Sequence, residues 1–216
     1  MKKTKYLINY LISIFFKFFP NNSILINSYR AFTSQEKLNL RIPYTNKNLI
    51  DFLKDYSENK TNLKIFEFGS GSSTLFFEDY FDEVYSVEHD REWYEVINAN
   101  KKKANVYFIP PIKSSNPYYG SKKLGYKNLD FINYVNFIDS LDQKFDVIFI
   151  DGRARVECLK IAKNYLRPKG VVILDDSNRA RYRKVFTKES LNKKTVHFSG
   201  LGTFIPSLHK ASLIFS

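Results

Sequence analysis

Acidic side chains stand at the ends of four apolar segments of this 216-residue sequence. They are Glu67, Glu88, Asp151 and the adjacent pair Asp175 and Asp176. A carboxylate can accept hydrogen bonds from hydroxyl groups, remove a proton from a reacting group, or coordinate a divalent cation. If these segments are parallel strands of one sheet, their carboxyl ends lie at one edge, and the acidic side chains form one site.

A turn with two glycines follows the first of these carboxylates, in the sequence KIFEFGSGSSTLFF. Gly69 and Gly71 let the backbone turn tightly and approach a ligand, and the amides of a following helix would point toward that ligand. A dinucleotide-binding turn would carry a third glycine where Thr74 stands. Glu67 would repel a pyrophosphate, whereas it suits a cofactor that carries an amino group and a sulfonium cation.

Short β-rich segments alternate with helical patterns along the chain, which predicts a Rossmann-like, doubly wound α/β fold. The apolar segment FDVIFI is typical of a central strand covered on both faces. We expect a mostly parallel sheet of about seven strands with helices on both faces. The predicted strands are residues 63–68, 83–88, 105–110, 145–150, 171–176, 195–200 and 211–216, and the predicted helices are 72–80, 91–103, 129–141, 153–166 and 179–190.

Four segments in this order resemble the motifs of class I S-adenosylmethionine (SAM)-dependent methyltransferases. They are EFGSGSST, VYSVEHDREWYE, FDVIFIDGRARVECLKIA and GVVILDDSNRARY. The resemblance covers about residues 42–216 and is closest to small bacterial members that are predicted to act on sugars or surface glycans. It implies SAM as the cofactor, with Glu88 binding the ribose hydroxyls and His89 bordering the adenine. The implied cofactor-binding residues are Glu67, Gly69, Gly71, Ser72, Thr74, Glu88 and His89.

The resemblance places the methyl acceptor beside Asp151. This carboxylate would remove the acceptor's proton, or it would bind Mg²⁺ together with Asp176. The alternative for Asp176 is that it caps the helix that follows it. Arg153 would bind an acidic group of the substrate or pair with the nearby carboxylates.

A loop rich in tyrosine and glycine, residues 110–127, is the predicted cover of the substrate site. Tyr118, Tyr119 and Tyr126 would stack on a sugar or aromatic acceptor. The same loop contains NPYY, which resembles the Asn-Pro-Pro-Tyr motif of methyltransferases that modify amino groups. That motif follows the fourth strand in those enzymes, whereas NPYY precedes the fourth predicted strand here. The sequence therefore favours a hydroxyl as the acceptor.

The predicted function is methyl transfer from SAM to a small-molecule hydroxyl, on a sugar or a surface-glycan precursor. One alternative is an RNA methyltransferase, which the net charge of +12 favours and the position of NPYY disfavours. Because the lysines are scattered, we expect no nucleic-acid partner. A second alternative is a protein that binds the cofactor or acts as a scaffold without catalysis.

Two regions are predicted: an N-terminal helical extension over residues 1–40 and a methyltransferase domain over residues 41–216. The apolar part of residues 1–19 is shorter than the roughly 20 residues that span a bilayer. It would lie on a membrane surface or pack against protein. We expect a cytoplasmic protein, membrane-associated if that helix binds lipid. The single cysteine, Cys158, excludes a disulfide framework.

Overall fold

The computed structural model describes residues 41–121, 125–203 and 208–216. The predicted N-terminal extension, including the proposed membrane contact of residues 1–19, lies outside these ranges. Within the described ranges, every helix is too short or too polar to cross a bilayer.

The described chain alternates strands and helices in the predicted order. The helices are α1 (Lys47–Ser57), α2 (Ser72–Phe77), α3 (Arg91–Asn100), α4 (Ile132–Asn136), α5 (Arg155–Ala162) and α6 (Ala180–Glu189). The strands are β1 (Lys64–Phe68), β2 (Glu83–Glu88), β3 (Asn105–Phe108), β4 (Ile112–Lys113), β5 (Leu129–Asp130), β6 (Phe145–Ile150), β7 (Leu166–Leu174), β8 (Thr195–Leu201) and β9 (Leu208–Phe215).

Seven strands form one sheet in the order β3-β2-β1-β6-β7-β9-β8. The first five of these pair in parallel, whereas β9 runs antiparallel between β7 and β8. This confirms the predicted α/β fold with its mostly parallel sheet. The chain winds outward from β1 to β3 and then returns to place β6 on the other side of β1. The carboxyl ends of β1 and β6 therefore lie at the switch point where such sheets bind ligands.

Both faces of the sheet are covered by helices, which explains why the central strands are apolar at successive positions. In β6, Val147 and Phe149 pack with α1, α2 and α3 on one face. Ile148 and Ile150 pack with α4, α5 and α6 on the other face. Cys158 of α5 is fully buried in this second core.

The structure differs from the sequence prediction around residues 129–141. The predicted single helix consists of β5, α4 and a 3₁₀ turn, Phe137–Leu141. Strand β5 pairs with β4 as a small antiparallel ribbon. The carboxylate of Asp130 accepts hydrogen bonds from the amides of Tyr118, Tyr119 and Ile132, at 2.6, 3.1 and 2.9 Å. It therefore joins the preceding loop to the start of α4.

The fifth predicted strand is longer than expected. The predicted helix 153–166 ends at Ala162 and is followed by a 3₁₀ turn, Lys163–Tyr165. Strand β7 already begins at Leu166, although Pro168 lies within it. The register against β6 shifts between Phe145 and Val147, so the segment around Pro168 lies at an irregularity where a missing amide donor is tolerated.

Candidate active site

The carboxyl ends of β1 and β6 make a close backbone contact through two glycines. Gly69 has φ of 100°, and a Cβ added to it would lie 2.6 Å from the Cα of Gly152. A Cβ added to Gly152 would lie 2.0 Å from the Oη of Tyr134. The amide of Asp151 donates to the carbonyl of Phe68 at 3.0 Å. Only residues without a side chain fit this contact, and it brings the turn after β1 beside Asp151.

The second glycine of the motif has a different environment. Gly71 has an extended backbone, and the nearest atom to an added Cβ is 3.6 Å away. Its amide donates to the Oγ1 of Thr74 at 2.9 Å, at the start of α2. The local backbone therefore requires glycine at position 69 and not at position 71.

Glu67 is fully buried behind the glycine turn. Its carboxyl group contacts three hydroxyl groups: Thr74 Oγ1 at 2.5 Å, Ser86 Oγ at 3.0 Å, and Ser73 Oγ. Burial raises the pKa of Glu67 to about 8, although these hydroxyl groups oppose the shift. At neutral pH the group is therefore mostly protonated, and it supports the turn from inside. This position does not present it to a cationic ligand.

A cavity of about 500 Å³ lies at the carboxyl ends of β1, β2 and β6. It is large enough for a small-molecule ligand. Six of the predicted site residues line it: Gly69, Glu88, His89, Tyr126, Asp151 and Arg153. The other predicted residues do not: Glu67, Gly71, Ser72, Thr74, Asp176, Tyr118 and Tyr119.

Glu88 joins the two loops that flank this cavity, and it is only 3% exposed. Its Oε2 accepts hydrogen bonds from the amide and the hydroxyl of Ser70 at 3.1 and 3.2 Å. Its Oε1 accepts from the amides of His89 and Asp90 at 2.7 and 2.9 Å. A carboxylate offers about four acceptor sites, so a ribose hydroxyl would bind Glu88 by displacing the rotatable hydroxyl of Ser70.

His89 connects the cavity wall to the loop before β5. Its Nε2 accepts a hydrogen bond from Arg153 Nε at 3.3 Å and lies 3.1 Å from Tyr126 Oη. Acceptance at Nε2 assigns the ring proton to Nδ1, which lies 2.6 Å from Glu88 Oε1. The guanidinium carbon of Arg153 lies 5.1 Å from the centre of the Tyr126 ring.

Two aromatic residues, Trp93 and Tyr126, complete the cavity, and only Tyr126 was predicted to contact a ligand, as a stacking residue for the acceptor. Trp93 is placed by the first turn of α3, where the side chain of Asp90 accepts a hydrogen bond from its amide. Its indole Nε1 donates to the carbonyl of Ser70 at 2.7 Å. Tyr126 also lines the cavity. No local sequence pattern indicates the contact of Trp93 with a loop 23 residues earlier.

The acidic cluster after β6 and β7 surrounds a buried arginine. Arg155 Nη2 donates to Oδ1 and to the carbonyl of Asp151, both at 2.5 Å. Its Nη1 donates to the carbonyl of Asp175 at 2.8 Å and lies 3.5 Å from Asp176 Oδ2. Arg155 is 8% exposed. This guanidinium occupies the centre of the cluster and compensates its negative charge.

Burial raises the pKa values of two of these carboxyl groups. The pKa of Asp151 is raised by burial, and the charge of Arg155 opposes the shift. The pKa of Asp175 is raised well above its usual value by burial and by the charge of Asp151. Its Oδ1 accepts a hydrogen bond from Thr45 Oγ1 at 2.8 Å. Asp151 is the member of the cluster that lines the cavity. Because its pKa is raised, it is a stronger base than an ordinary aspartate.

The donors do not fit the predicted Mg²⁺ site. Arg155 contacts both Asp151 and Asp176, and Arg179 pairs with Asp176 as well. Asp175, Asp176 and His209 do bring one ligand atom each within 4.8 Å of one another. A divalent cation there would face two guanidinium groups and the Asp175 carboxyl, whose pKa is raised toward the neutral form. We derive no step through a metal.

Asp176 also does not cap a helix. Helix α6 begins at Ala180 without a side-chain cap, and Asp176 has a left-handed backbone with φ of 53°. Of the three predicted stacking residues, Tyr126 lines the cavity, whereas Tyr118 and Tyr119 do not. Tyr118 is 74% exposed and contacts Tyr119, with 4.8 Å between the ring centres.

The sheet order, with an antiparallel C-terminal hairpin and a cavity at the carboxyl ends of β1 and β2, defines the fold of class I SAM-dependent methyltransferases. No protein-family model matches the sequence, and no curated protein matches it. Solved structures do match. An O-methyltransferase from Bacillus cereus in complex with SAH is 15% identical, with a TM-score of 0.58 over 85% of this chain and 90% of that chain.

Two other solved structures match equally well. The O-methyltransferase TomG from Streptomyces achromogenes, involved in tomaymycin synthesis and solved in complex with SAM, is 14% identical. Its TM-score is 0.57 over 86% of this chain and 89% of that chain. The cofactor-bound protein Rv0187 from MTB is 14% identical, with a TM-score of 0.60 over 86% and 88% of the two chains. At these identities the similarity establishes the fold.

Gly69→Ala is expected to lower the free energy of unfolding by about 1–3 kcal/mol or more. Alanine would be strained at this φ, and its Cβ would overlap the backbone of Gly152. Gly71→Ala is the matched control from the same motif. It should leave the free energy of unfolding unchanged or slightly increased, since its backbone is extended. Urea denaturation measures both. Equal effects of the two substitutions would contradict the conclusion that the backbone requires glycine at position 69 and not at position 71.

The free energy of unfolding is expected to fall as the pH rises from about 5 to about 9. Glu67 has a folded pKa of about 8 against 4.5 for an ordinary glutamate, so the folded state retains a proton that the unfolded state has released. Glu67→Gln should make this decrease smaller, and the remainder is expected from Asp151 and Asp175, whose pKa values are also raised. The exposed Glu95→Gln should retain the full decrease. Urea denaturation across this range is the measurement. A wild-type protein and a Glu67→Gln variant with the same pH dependence would contradict the prediction.

Proposed function

We propose that this protein is a SAM-dependent O-methyltransferase that acts on a small-molecule hydroxyl. The observation that carries the proposal is the cavity in which Gly69, Glu88 and Asp151 meet at the switch point of a methyltransferase fold. Its volume of about 500 Å³ suits a small-molecule cofactor. The sequence resemblance to small bacterial enzymes supports a hydroxyl of a sugar or a surface-glycan precursor as the acceptor.

The residues of the cavity fit SAM. Gly69 lets a ligand approach the backbone, and Glu88 offers acceptors for ribose hydroxyls once the hydroxyl of Ser70 turns away. Trp93 and Val96 supply apolar surface for a planar base. When bound, SAM supplies an electrophilic methyl group, and the protein's task is to hold the acceptor in line and remove its proton.

Asp151 is the proposed proton acceptor. It lines the cavity, and Arg155 fixes the orientation of its carboxylate. Burial raises the pKa of Asp151, which makes it a stronger base than an exposed aspartate. The charge of Arg155 opposes this shift and so favours the ionised form, in the charge-compensating position that a divalent cation would otherwise occupy.

Glu88→Gln is expected to weaken SAM binding by about tenfold or more. The glutamine side chain has one acceptor oxygen, so it cannot accept the hydrogen bonds that both flanking loops donate to Glu88. Glu92→Gln is the matched control, since Glu92 also lines the cavity but is exposed. Calorimetry gives the dissociation constants, and thermal unfolding without ligand verifies that both variants are folded. SAM binding of wild-type strength in folded Glu88→Gln would refute the assignment.

Asp151→Asn is expected to retain SAM binding but to lower methyl transfer by about 10²–10⁴-fold, since the amide cannot accept the proton. SAH release in a panel of nucleotide sugars and glycans is the measurement. Asp142→Asn, at an exposed left-handed turn, is the control. EDTA should leave the wild-type rate unchanged. Full activity in Asp151→Asn, or loss of activity in EDTA, would contradict the proposed roles of Asp151 and Arg155.

A further inference from the structure

A second cavity, of about 290 Å³, lies beside the first one. The two share Gly152 and Arg153 as a common wall. On its other side the second cavity is bordered by α6, through Arg181, Tyr182 and Val185. Asp151 directly precedes this shared wall in the chain, and its partner Arg155 lines the second cavity, so this cavity adjoins the segment that carries the proposed proton acceptor.

The charges around the second cavity are strongly positive. Three arginines line it, Arg153, Arg155 and Arg181, against one carboxylate, Glu157. Arg155 is already compensated by the acidic cluster. Glu157 has a cationic partner in Lys160, with 3.5 Å between Oε1 and Nζ.

The other two arginines have no carboxylate partner among the described residues. Arg153 Nε donates to Nε2 of His89 at 3.3 Å. Arg181 Nη2 donates to Tyr182 Oη at 2.8 Å, and its guanidinium carbon lies 4.7 Å from the centre of the same ring. Each guanidinium has five N–H donors, so most of their donor capacity is available to a ligand.

Two arginines and a tyrosine hydroxyl form a set of donors that recognises a phosphate or a carboxylate. Tyr182 Oη accepts from Arg181, so its own O–H is left to donate to a ligand. Val156 and Val185 add apolar walls. A cavity of this volume is at the small end for organic ligands, which favours a compact molecule over a nucleic-acid strand.

We propose that the second cavity binds an anionic group, a phosphate or a carboxylate, of the methyl acceptor. This inference rests on the proposed methyltransferase function. Arg153 and Arg181 bind the anion, and the shared wall at Gly152 directs the acceptor's hydroxyl toward Asp151. The acceptor is thus a small acidic molecule of the sugar-phosphate or sugar-acid type, and an uncharged sugar binds poorly.

Calorimetry on the full chain with three probes tests this proposal: glucose 6-phosphate, glucuronate and uncharged glucose. We expect one or both anionic probes to bind and glucose not to bind. Arg181→Ala should weaken the anionic probe by about tenfold, the loss of one charged donor. Arg183→Ala is the matched control, because Arg183 is exposed on the same helix and does not line the cavity. SAM binding is measured in parallel for every variant.

The outcomes separate this inference from the proposed function. Binding of SAM without binding of either anion would overturn the anion site and leave the methyltransferase proposal standing. Anion binding without SAM binding would overturn the methyltransferase proposal. The second cavity would then remain an anion site, but not one for a methyl acceptor. Equal losses in Arg181→Ala and Arg183→Ala would indicate nonspecific surface charge and refute the site. An RNA oligonucleotide that binds with a steep salt dependence and displaces the anion would also refute it, in favour of a nucleic-acid acceptor.

Discussion

The contact between Gly69 and Gly152 is the constraint on which the site depends. It lets the backbone after β1 lie against the backbone after β6, with no side chain between them. The amide of Gly69 also donates to the carbonyl of Val87 at 3.0 Å, which joins the end of β2 to the same point. Three strand ends are therefore held together, and both cavities open from this junction.

Arg155 holds the charged groups of the site together, as the contact between Gly69 and Gly152 holds its backbone together. Five hydrogen-bond or ionic contacts tie its guanidinium and Nε to the segments after β6 and β7. A buried ion of this kind adds little net stability, but its loss would leave carboxylates buried without compensation, at a cost of about 3–5 kcal/mol. We interpret Arg155 as the residue that compensates the charge of Asp151 at the cavity.

Much of the fold is predictable from local patterns. β2 and β6 have the predicted bounds, and β1 begins one residue later than predicted. These strands are predictable because a continuous apolar segment of this length is compatible with few structures other than a buried strand. β7 begins five residues earlier than predicted, since pairing with β6 outweighs the local signals of Pro168 and Gly170. The helix over 129–141 is interrupted because Asp130 bonds a loop about a dozen residues away.

The candidate site is less predictable than the fold. Strand-end positions were enough to place Glu88 and Asp151 at the cavity, since a residue at the end of a strand lies at the sheet edge regardless of other contacts. The burial of Glu67 and the central position of Arg155 depend on contacts across the fold. The motif spacing that suggested a cofactor contact for Glu67 cannot distinguish a side chain that faces the ligand from one that supports the turn.

Trp93 has a practical consequence for work on this protein. It is the single tryptophan of the chain, it lines the larger cavity, and its indole N–H is bonded to the carbonyl of Ser70. Any ligand that shifts the glycine turn changes the polarity and hydrogen bonding of this one indole. The intrinsic fluorescence of the unlabelled protein is therefore a spectroscopic reporter of that turn, with no background from other tryptophans.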